Sequence, residues 1–267
     1  MQRGRVEKLD YAERWLRDGL RVVDPPGGLL TLEVDMSDAA RVKKTMQEVG
    51  APVTYTHLIV HATARALRDA PRIHRLVAGN RRLFPDDIDI CLSVAGESVV
   101  TPVLIIEGAD QKSLAEIAAI IRNGAAEAQQ QDQRLNNLLR RWGWLVPFGI
   151  LRRALLRFFL QRLWYRRRAS GTFQLSIIPS VDWCVPFLFN TAAAVGAGRV
   201  RDRAVAVNGR VEVRPTLVLT CCIDHKVWNG MEAAKFLDGV KMHLERGTAL
   251  ADGHSDGARA SGVGSGD

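Results

Sequence analysis

The segment TCCIDHKVWNGMEAAKFLDG, residues 220–239, ends a run of β-forming residues and begins a run with helical spacing. Asp224 and His225 lie at this junction, and Asn229 and Gly230 follow them. Imidazole accepts a proton readily near neutral pH, and the end of a buried strand can aim it at a substrate. Glycine at position 230 would permit a tight turn into the helix. His225 is therefore a candidate general base, although a lone histidine at a strand end is more often structural.

Helical and β-strand patterns alternate on the amino-terminal side of this segment. Helices are predicted over residues 9–19, 37–50, 54–70, 111–130 and 230–245. Strands are predicted over residues 29–36, 88–96, 98–106, 171–178, 192–200, 203–207 and 211–224. Gly19 should end the first helix, Ser37 should cap the second, and Asn208-Gly209 favours a type I′ hairpin turn. This order predicts an α/β fold with a mixed β-sheet covered by helices.

The composition is that of a globular protein, since 47% of the 267 residues are hydrophobic and 25% are charged. The first residues carry charge without an apolar stretch, so no signal peptide is expected. The four cysteines show neither CxxC nor disulfide-like spacing, which favours a reduced, cytoplasmic setting. The small, polar tail over residues 247–267 is expected to be disordered.

The net charge of +8 comes from one segment of the chain. Residues 133–168 hold ten arginines and no lysine, aspartate or glutamate, which leaves 27 of the 37 basic residues to balance 29 acidic ones. A general nucleic-acid-binding role is therefore not expected. The longest uncharged run in the segment, residues 142–151, is too short to span a bilayer.

The same arginine-rich segment has an amphipathic helical pattern from Ile150 onward, with tryptophan and phenylalanine among its apolar residues. Residues 134–168 would suit an anionic membrane surface, an acidic acyl carrier protein or the phosphates of CoA. The alternative is a helical lid that buries its apolar side on the domain and leaves its arginines in solvent.

Several segments together resemble the catalytic domain of the 2-oxoacid dehydrogenase acyltransferases. IDHKVWNG resembles the Asp-His-x-x-x-Asp/Asn-Gly motif of that family, whose core also occurs in chloramphenicol acetyltransferase. GTFQLSII resembles its Gly-Thr-Phe-x-Ile-Ser-Asn strand, and VTYTHLIVHATARAL its long buried helix. The resemblance implies a chloramphenicol acetyltransferase-like two-layer fold. Residues 1–27 would form an N-terminal helix and loop, residues 28–246 the catalytic domain, and residues 131–169 an insertion.

This resemblance implies roles for three residues. His225 would deprotonate the thiol of CoA or dihydrolipoamide, and Ser176 would hydrogen-bond the oxyanion of the tetrahedral intermediate. Asn229 would support the motif turn or touch the substrate. The reaction expected is acyl transfer from a thioester, with acyl-CoA or an acylated lipoyl or phosphopantetheine carrier as donor. The family also implies a homotrimer with the active site at the subunit interface.

Three further residues would support the motif. Asp224 and Gly230 would shape the turn. Arg14 is the best counterpart of an N-terminal arginine that pairs with the motif acid in the chloramphenicol enzyme. Position 229 is Asn, so this pairing would lack one charge. The sequence SIIPS also replaces the family's usual Ser-Asn-Leu-Gly after Ser176, so a different loop is expected there.

Two alternatives limit the functional prediction. No lipoylation site precedes the core, so we expect a stand-alone family member whose acyl group arrives on CoA or on another chain's carrier. The competing interpretation is a non-catalytic trimeric scaffold that holds a partner or a membrane through the basic segment.

His57 and His61 are one helical turn apart, but no third ligand is near and no metal site is expected. The expected location is the cytoplasm, with peripheral contact at the inner membrane face if the basic segment binds lipid.

Overall fold

The computed structural model describes residues 10–22, 27–78, 81–95, 101–189 and 191–247. The strands of these parts are β1 (Gly28–Asp35), β2 (Leu76–Ala78), β3 (Arg81–Leu83), β4 (Ile90–Ser93), β5 (Val103–Ile106), β6 (Phe173–Ile177), β7 (Ala193–Ala197), β8 (Arg201–Val207) and β9 (Arg210–Ile223). The α-helices are α1 (Tyr11–Val22), α2 (Ser37–Glu48), α3 (Tyr55–Asp69), α4 (Leu114–Trp142), α5 (Gly149–Leu160), α6 (Leu163–Ser170) and α7 (Gly230–Glu245). Short 3-10 turns cover Ala109–Gln111 and Gly143–Leu145. None of the helices in the described ranges is long and apolar enough to cross a membrane.

A seven-stranded sheet organises these elements in the order β1–β9–β7–β6–β4–β5, with β8 paired to β9 outside that path. The β4–β6 and β6–β7 pairs are parallel and the other pairs are antiparallel, so the sheet is mixed as predicted. β9 is the longest strand, with 14 residues. Its amino-terminal half pairs with β8, and its carboxyl-terminal half lies between β1 and β7. The strand that leads into the candidate motif is therefore held on both sides.

Alternate residues of β9 determine where the core lies. Leu217, Leu219, Cys221 and Ile223 are buried in one hydrophobic cluster with residues of α3 and α7, because side chains on alternate positions share a face of the sheet. α3 and α7 also pack against each other over this face. The helices and the sheet thus form two layers, and the core between them fixes both ends of the turn at 224–229.

The turn between β8 and β9 follows the sequence prediction. Asn208 and Gly209 have φ values of 50° and 76°, in the left-handed region that a type I′ turn requires at both central positions. Val207 pairs with Arg210 directly across the turn.

Two local predictions were wrong, and one pair of strands was not predicted. α1 continues through Gly19 to Val22. Ser37 does not cap α2: the N-cap position is Met36, and the Ser37 hydroxyl donates to Asp35 Oδ1 at 2.5 Å. The β2–β3 pair was not predicted, because its strands are three residues long and β3 is rich in arginine.

The boundary predicted at residue 131 falls inside a helix. α4 begins in the core at Leu114 and continues to Trp142, so the start of the arginine-rich segment extends a core helix. The rest of the segment forms α5 and α6 before the chain enters β6. Residues 1–9 of the predicted N-terminal region and 248–267 of the predicted tail lie outside the described residues.

Candidate active site

The chain turns sharply where β9 ends. The Asp224 N–H donates to the carbonyl of Ala192 at 3.0 Å, and the Asp224 carbonyl accepts from the N–H groups of Val227 and Trp228 at 2.8 and 2.9 Å. The Asp224 carboxylate accepts from the Lys226 N–H at 2.9 Å. These bonds satisfy backbone groups that a strand end would leave unpaired. Asp224 therefore shapes the turn with both its main chain and its side chain.

This turn presents the His225 ring to solvent in the single chain. Nδ1 lies 3.2 Å from the carbonyl oxygen of Trp228. A carbonyl oxygen can only accept, so Nδ1 carries the proton in this contact. In the neutral ring Nε2 then holds the lone pair. The geometry therefore fixes the tautomer that a base acting through Nε2 requires.

Two glycines before and at the start of β1 lie against this ring. A Cβ atom at Gly27 would lie 2.9 Å from His225 Cβ, and one at Gly28 would lie 3.0 Å from His225 Nε2. The Gly27 N–H donates to the Ile223 carbonyl at 2.8 Å, which holds the loop beside the end of β9. The sequence analysis assigned no role to this glycine pair. The signal that could have found it is two adjacent glycines next to a strand that pairs with the motif strand.

Asn229 is the N-cap of α7. Its side chain accepts from the Glu232 N–H at 2.9 Å, and the Glu232 carboxylate accepts from the Asn229 N–H at 3.0 Å, which forms a capping box. Gly230 begins α7 outside the left-handed region, and a Cβ there would meet nothing within 4 Å. The backbone turn therefore does not need glycine at position 230.

An arginine that the sequence analysis missed clamps this turn. Arg75 makes two hydrogen bonds to the Glu232 carboxylate, at 3.0 and 2.9 Å, and also donates to the Val227 carbonyl. The hydrogen bond from Arg75 is the main reason that the pKa of Glu232 lies below its usual value. Arg75 is 157 residues from Glu232 along the chain, so no local pattern indicates the pair.

Trp228 fastens the turn to the core. Its side chain is fully buried, its indole N–H donates to the Ile73 carbonyl at 2.7 Å, and its ring packs on Phe236 and Phe173. The carbonyl of the same residue accepts from His225, so the position of the imidazole depends on a buried aromatic anchor.

Ser176 lies on β6, beside Gly196 on β7, which in turn faces Thr220 on β9. Phe173 and Leu175 belong to the core cluster, so Ser176 points to the opposite face of the sheet. Its side chain is half-buried. On this face the following segment covers the sheet, because a Cβ at Gly196 would lie 2.5 Å from the Cys184 carbonyl.

One chain does not bring Ser176 and His225 together. Ser176 pairs with Gly196 on β7, and Gly196 pairs with Thr220 on β9. Ser176 is therefore two strands away from β9, and Ile223 lies three residues beyond Thr220 along β9. With about 3.3 Å per residue along a strand and about 4.8 Å between strands, the Cα atoms of Ser176 and Ile223 are about 14 Å apart. His225 lies two residues farther on. A single small reacting group cannot contact both side chains of the same chain.

Arg14 does not meet the motif within the chain. It lies on α1 with its guanidinium 5.1 Å from the centre of the Tyr11 ring, and α1 packs against α4 and α5. Over the described residues, the hydrogen bonds of Asn229 go to Glu232 and close the cap. The predicted contact between Arg14 and position 229 is therefore not formed inside one chain.

The paired histidines of α3 serve the helix. His57 Nδ1 accepts from the Thr54 N–H at 3.1 Å as part of a capping box, and His61 Nε2 accepts from Arg65 at 3.4 Å. Burial lowers the pKa of His57. Within the described parts of the chain, no group of three or more histidine, cysteine or acidic residues is arranged to hold a metal ion.

Comparison with known proteins assigns the chain to a family. A family model described as 2-oxoacid dehydrogenases acyltransferase (catalytic domain) matches residues 25–139 and 179–251. The matched residues include His225 and Asn229; Ser176 and most of the arginine-rich segment lie between the two matched parts.

Curated relatives include two acyltransferase components. A probable mitochondrial dihydrolipoyllysine-residue succinyltransferase component of the 2-oxoglutarate dehydrogenase complex from Schizosaccharomyces pombe is 25% identical over 80% of this chain and 43% of its own length. A dihydrolipoyllysine-residue acetyltransferase component of the pyruvate dehydrogenase complex from Mycoplasma capricolum is 28% identical over 75% of this chain and 40% of its own length. The chain thus spans less than half of these relatives.

Solved structures share the fold. Dihydrolipoamide acetyltransferase of Azotobacter vinelandii, studied for the roles of a serine, a histidine and an asparagine in its catalytic mechanism, has a TM-score of 0.68 at 18% identity and covers 91% of this chain and 92% of its own. A probable dihydrolipoamide acetyltransferase from Listeria monocytogenes has a TM-score of 0.66 at 20% identity, with 91% and 95% covered. These structures confirm the predicted two-layer α/β fold.

Proposed function

The chain belongs to the 2-oxoacid dehydrogenase acyltransferases, whose catalytic domain it matches, and from this premise we propose that it transfers acyl groups between thioesters and an acceptor with His225 as general base. The observation that carries the proposal is the contact between His225 Nδ1 and the Trp228 carbonyl, which leaves Nε2 as the proton acceptor. The donor proposed is acyl-CoA or an acylated lipoyl or phosphopantetheine carrier.

The proposed reaction begins with proton transfer from an acceptor thiol to His225 Nε2. The thiolate attacks the thioester carbonyl, and the carbonyl oxygen of the tetrahedral intermediate becomes negatively charged. The intermediate then expels the donor thiolate, which takes the proton back from His225. Ser176 is proposed to donate a hydrogen bond from its hydroxyl group to the oxyanion. A base of this kind contributes about 10²–10⁴-fold, and one oxyanion donor about 10²–10³-fold.

The separation of Ser176 from His225 supports a shared site. Because about 14 Å or more divides the two positions within one chain, we propose that a neighbouring subunit supplies the serine that acts with each His225. A closed ring of three copies repeats one such contact three times, so the proposed assembly is a homotrimer with its active sites between subunits.

Asn229 is proposed as a positioning residue. Its side chain caps α7 and so fixes the direction in which the helix leaves the His225 turn. The Azotobacter enzyme was studied for a histidine and an asparagine four residues apart, which is the spacing of His225 and Asn229.

The test is thiol release from acyl-CoA with dihydrolipoamide as acceptor, measured as free CoA by chromatography because the total number of thiols does not change in this reaction. His225→Ala should lower kcat/KM by about 10²–10⁴-fold, since only the base is removed. His243→Ala is the matched control. His243 lies near the end of α7, away from the turn, and pairs with Asp69 of α3, so this variant should leave the rate unchanged. Equal rates for wild type and His225→Ala would favour the non-catalytic scaffold instead.

A further inference from the structure

Helix α5 presents its apolar side to solvent and buries an arginine. Leu151, Leu155 and Phe158 share one stripe, at positions i, i+4 and i+7, and are 54%, 39% and 54% exposed. Arg152 of the same helix is only 4% exposed. The alternative of a lid that buries its apolar side on the domain is therefore met only in part, since Leu160 is buried while this stripe is exposed.

The cause is a buried acid on α1. Asp18 is 1% exposed, accepts from Arg152 Nε at 2.8 Å and accepts from Arg153 at 3.0 Å. Arg152 also donates to the carbonyls of Val146 and Pro147, both at 2.9 Å. Two arginines on one side of α5 are thus fixed against α1, which turns the opposite, apolar side outward.

The outward surface continues on both sides of the stripe. Phe148 and Ile150, at the start of α5, are more than two-thirds exposed. Arg162 lies over the Phe158 ring at 4.6 Å, just beyond the end of α5. Arg141 lies over the Trp142 ring at 5.4 Å, at the end of α4. Large apolar side chains and guanidinium groups therefore alternate along this surface.

The charge on this surface has one sign. Three exposed arginines on or beside α5, Arg141, Arg157 and Arg162, have no carboxylate within salt-bridge distance in the described parts of the chain. The sequence has no acidic residue from 133 to 168 that could neutralise them. The surface thus combines exposed apolar side chains with uncompensated positive charge.

This combination selects among the occupants that could cover the surface. A second copy that met this surface with the same surface, in a two-fold pair, would bring arginines against arginines, which is unfavourable. An acidic carrier protein would pair with the arginines, and would need an apolar patch of its own to cover the stripe. An anionic bilayer offers phosphate groups for the arginines and, directly beneath them, acyl chains for the stripe. With 12 residues α5 is about 18 Å long, shorter than the hydrocarbon core of a bilayer, so it suits a position in the interface.

We propose that residues 142–162 dock this protein on an anionic lipid bilayer, with α5 in the plane of the interface, its apolar stripe inserted and its free arginines on lipid phosphates. This docking surface is distinct from the His225 turn, and the proposal does not depend on the acyl-transfer reaction.

The test is flotation of the full chain with vesicles of phosphatidylcholine alone or with one-third phosphatidylglycerol. Wild type should float with the anionic vesicles, and binding should weaken as salt is raised. The triple variant Ile150→Glu, Leu151→Glu, Phe158→Glu should lower the partition coefficient about tenfold or more, because it places carboxylates in the acyl region. Arg157→Gln with Arg162→Gln should lower it less.

Two controls keep the test decisive. Val49→Glu changes an apolar residue just after α2 that is 69% exposed, and Arg210→Gln changes an exposed arginine at the β8–β9 turn; both should bind as wild type does. The triple variant should keep the thiol-release rate measured without vesicles. The proposal is overturned if wild type does not float with anionic vesicles, if the triple variant floats as well as wild type, or if the triple mutation changes the oligomer mass instead of vesicle binding.

Discussion

The turn at residues 224–230 and helix α5 bury opposite kinds of side chain. The turn places Trp228 in the core and presents the His225 ring, whereas α5 places Arg152 against Asp18 and presents Leu151, Leu155 and Phe158. In each case the buried group determines which side faces outward. The exposed groups of each region, the His225 ring and the apolar stripe of α5, therefore depend on a buried contact that orients them. Each of these buried contacts can be removed by a separate mutation.

The largest expected effect is at the aromatic anchor of the turn. Trp228→Ala should lower the free energy of unfolding by about 3–5 kcal/mol, because it removes a fully buried ring. Thiol release should fall as well, since the carbonyl that orients His225 loses its support. Urea denaturation measures the first effect. Trp144→Ala, at an exposed tryptophan beside α5, should change stability little; a comparable loss there would contradict the contrast between the two regions.

The next effect is at the buried pair that orients α5. Asp18→Ala should lower the free energy of unfolding by about 3 kcal/mol, because it leaves the Arg152 guanidinium buried without a carboxylate. Adding Arg152→Met should recover a substantial part of the loss, since both charges are then absent. Thermal unfolding of the single and double variants shows whether removing the second charge recovers stability. If the double variant is no more stable than Asp18→Ala, the unpaired charge of Arg152 is not the cause of the loss.

The order of elements and the motif could be predicted from the sequence, because both depend on local patterns. A run of β-forming residues indicated β9, and Asn208-Gly209 indicated its turn. The inverted orientation of α5 could not be predicted, because Asp18 lies 134 residues before Arg152. The same holds for Arg75, whose partner Glu232 is equally remote. Ser37 was misassigned as a cap because Asp35, at the end of the strand, accepts its hydroxyl proton.

A smaller effect is expected at the clamp of the turn. Arg75→Met should cost about 1–2 kcal/mol, because the Val227 carbonyl and the Glu232 carboxylate lose a charged donor. The pKa of Glu232 is lowered in the folded chain, so this contribution is present above the unfolded pKa of about 4.3 and is lost as pH falls through the folded pKa. The stability difference between wild type and variant should therefore shrink as pH falls below the unfolded pKa of Glu232, and only the part due to the Val227 carbonyl should remain. Arg72→Met is the control, and a pH-independent difference would contradict the role assigned to Glu232.

The smallest effect on stability is expected beside the His225 ring. In Gly28→Ala the new Cβ would lie 3.0 Å from Nε2 and 3.2 Å from Ile223 Cγ1, so the exposed imidazole must move by a few tenths of an ångström. Stability should change by less than about 1 kcal/mol, because the ring has solvent to move into. The rate of thiol release should nevertheless fall about tenfold, since proton transfer depends on the position of Nε2. Gly19→Ala, where an added Cβ meets nothing within 4 Å, is the matched control. An unchanged rate in Gly28→Ala would mean that Nε2 reaches its substrate from the side away from β1, and the glycine pair would then have no part in positioning the base.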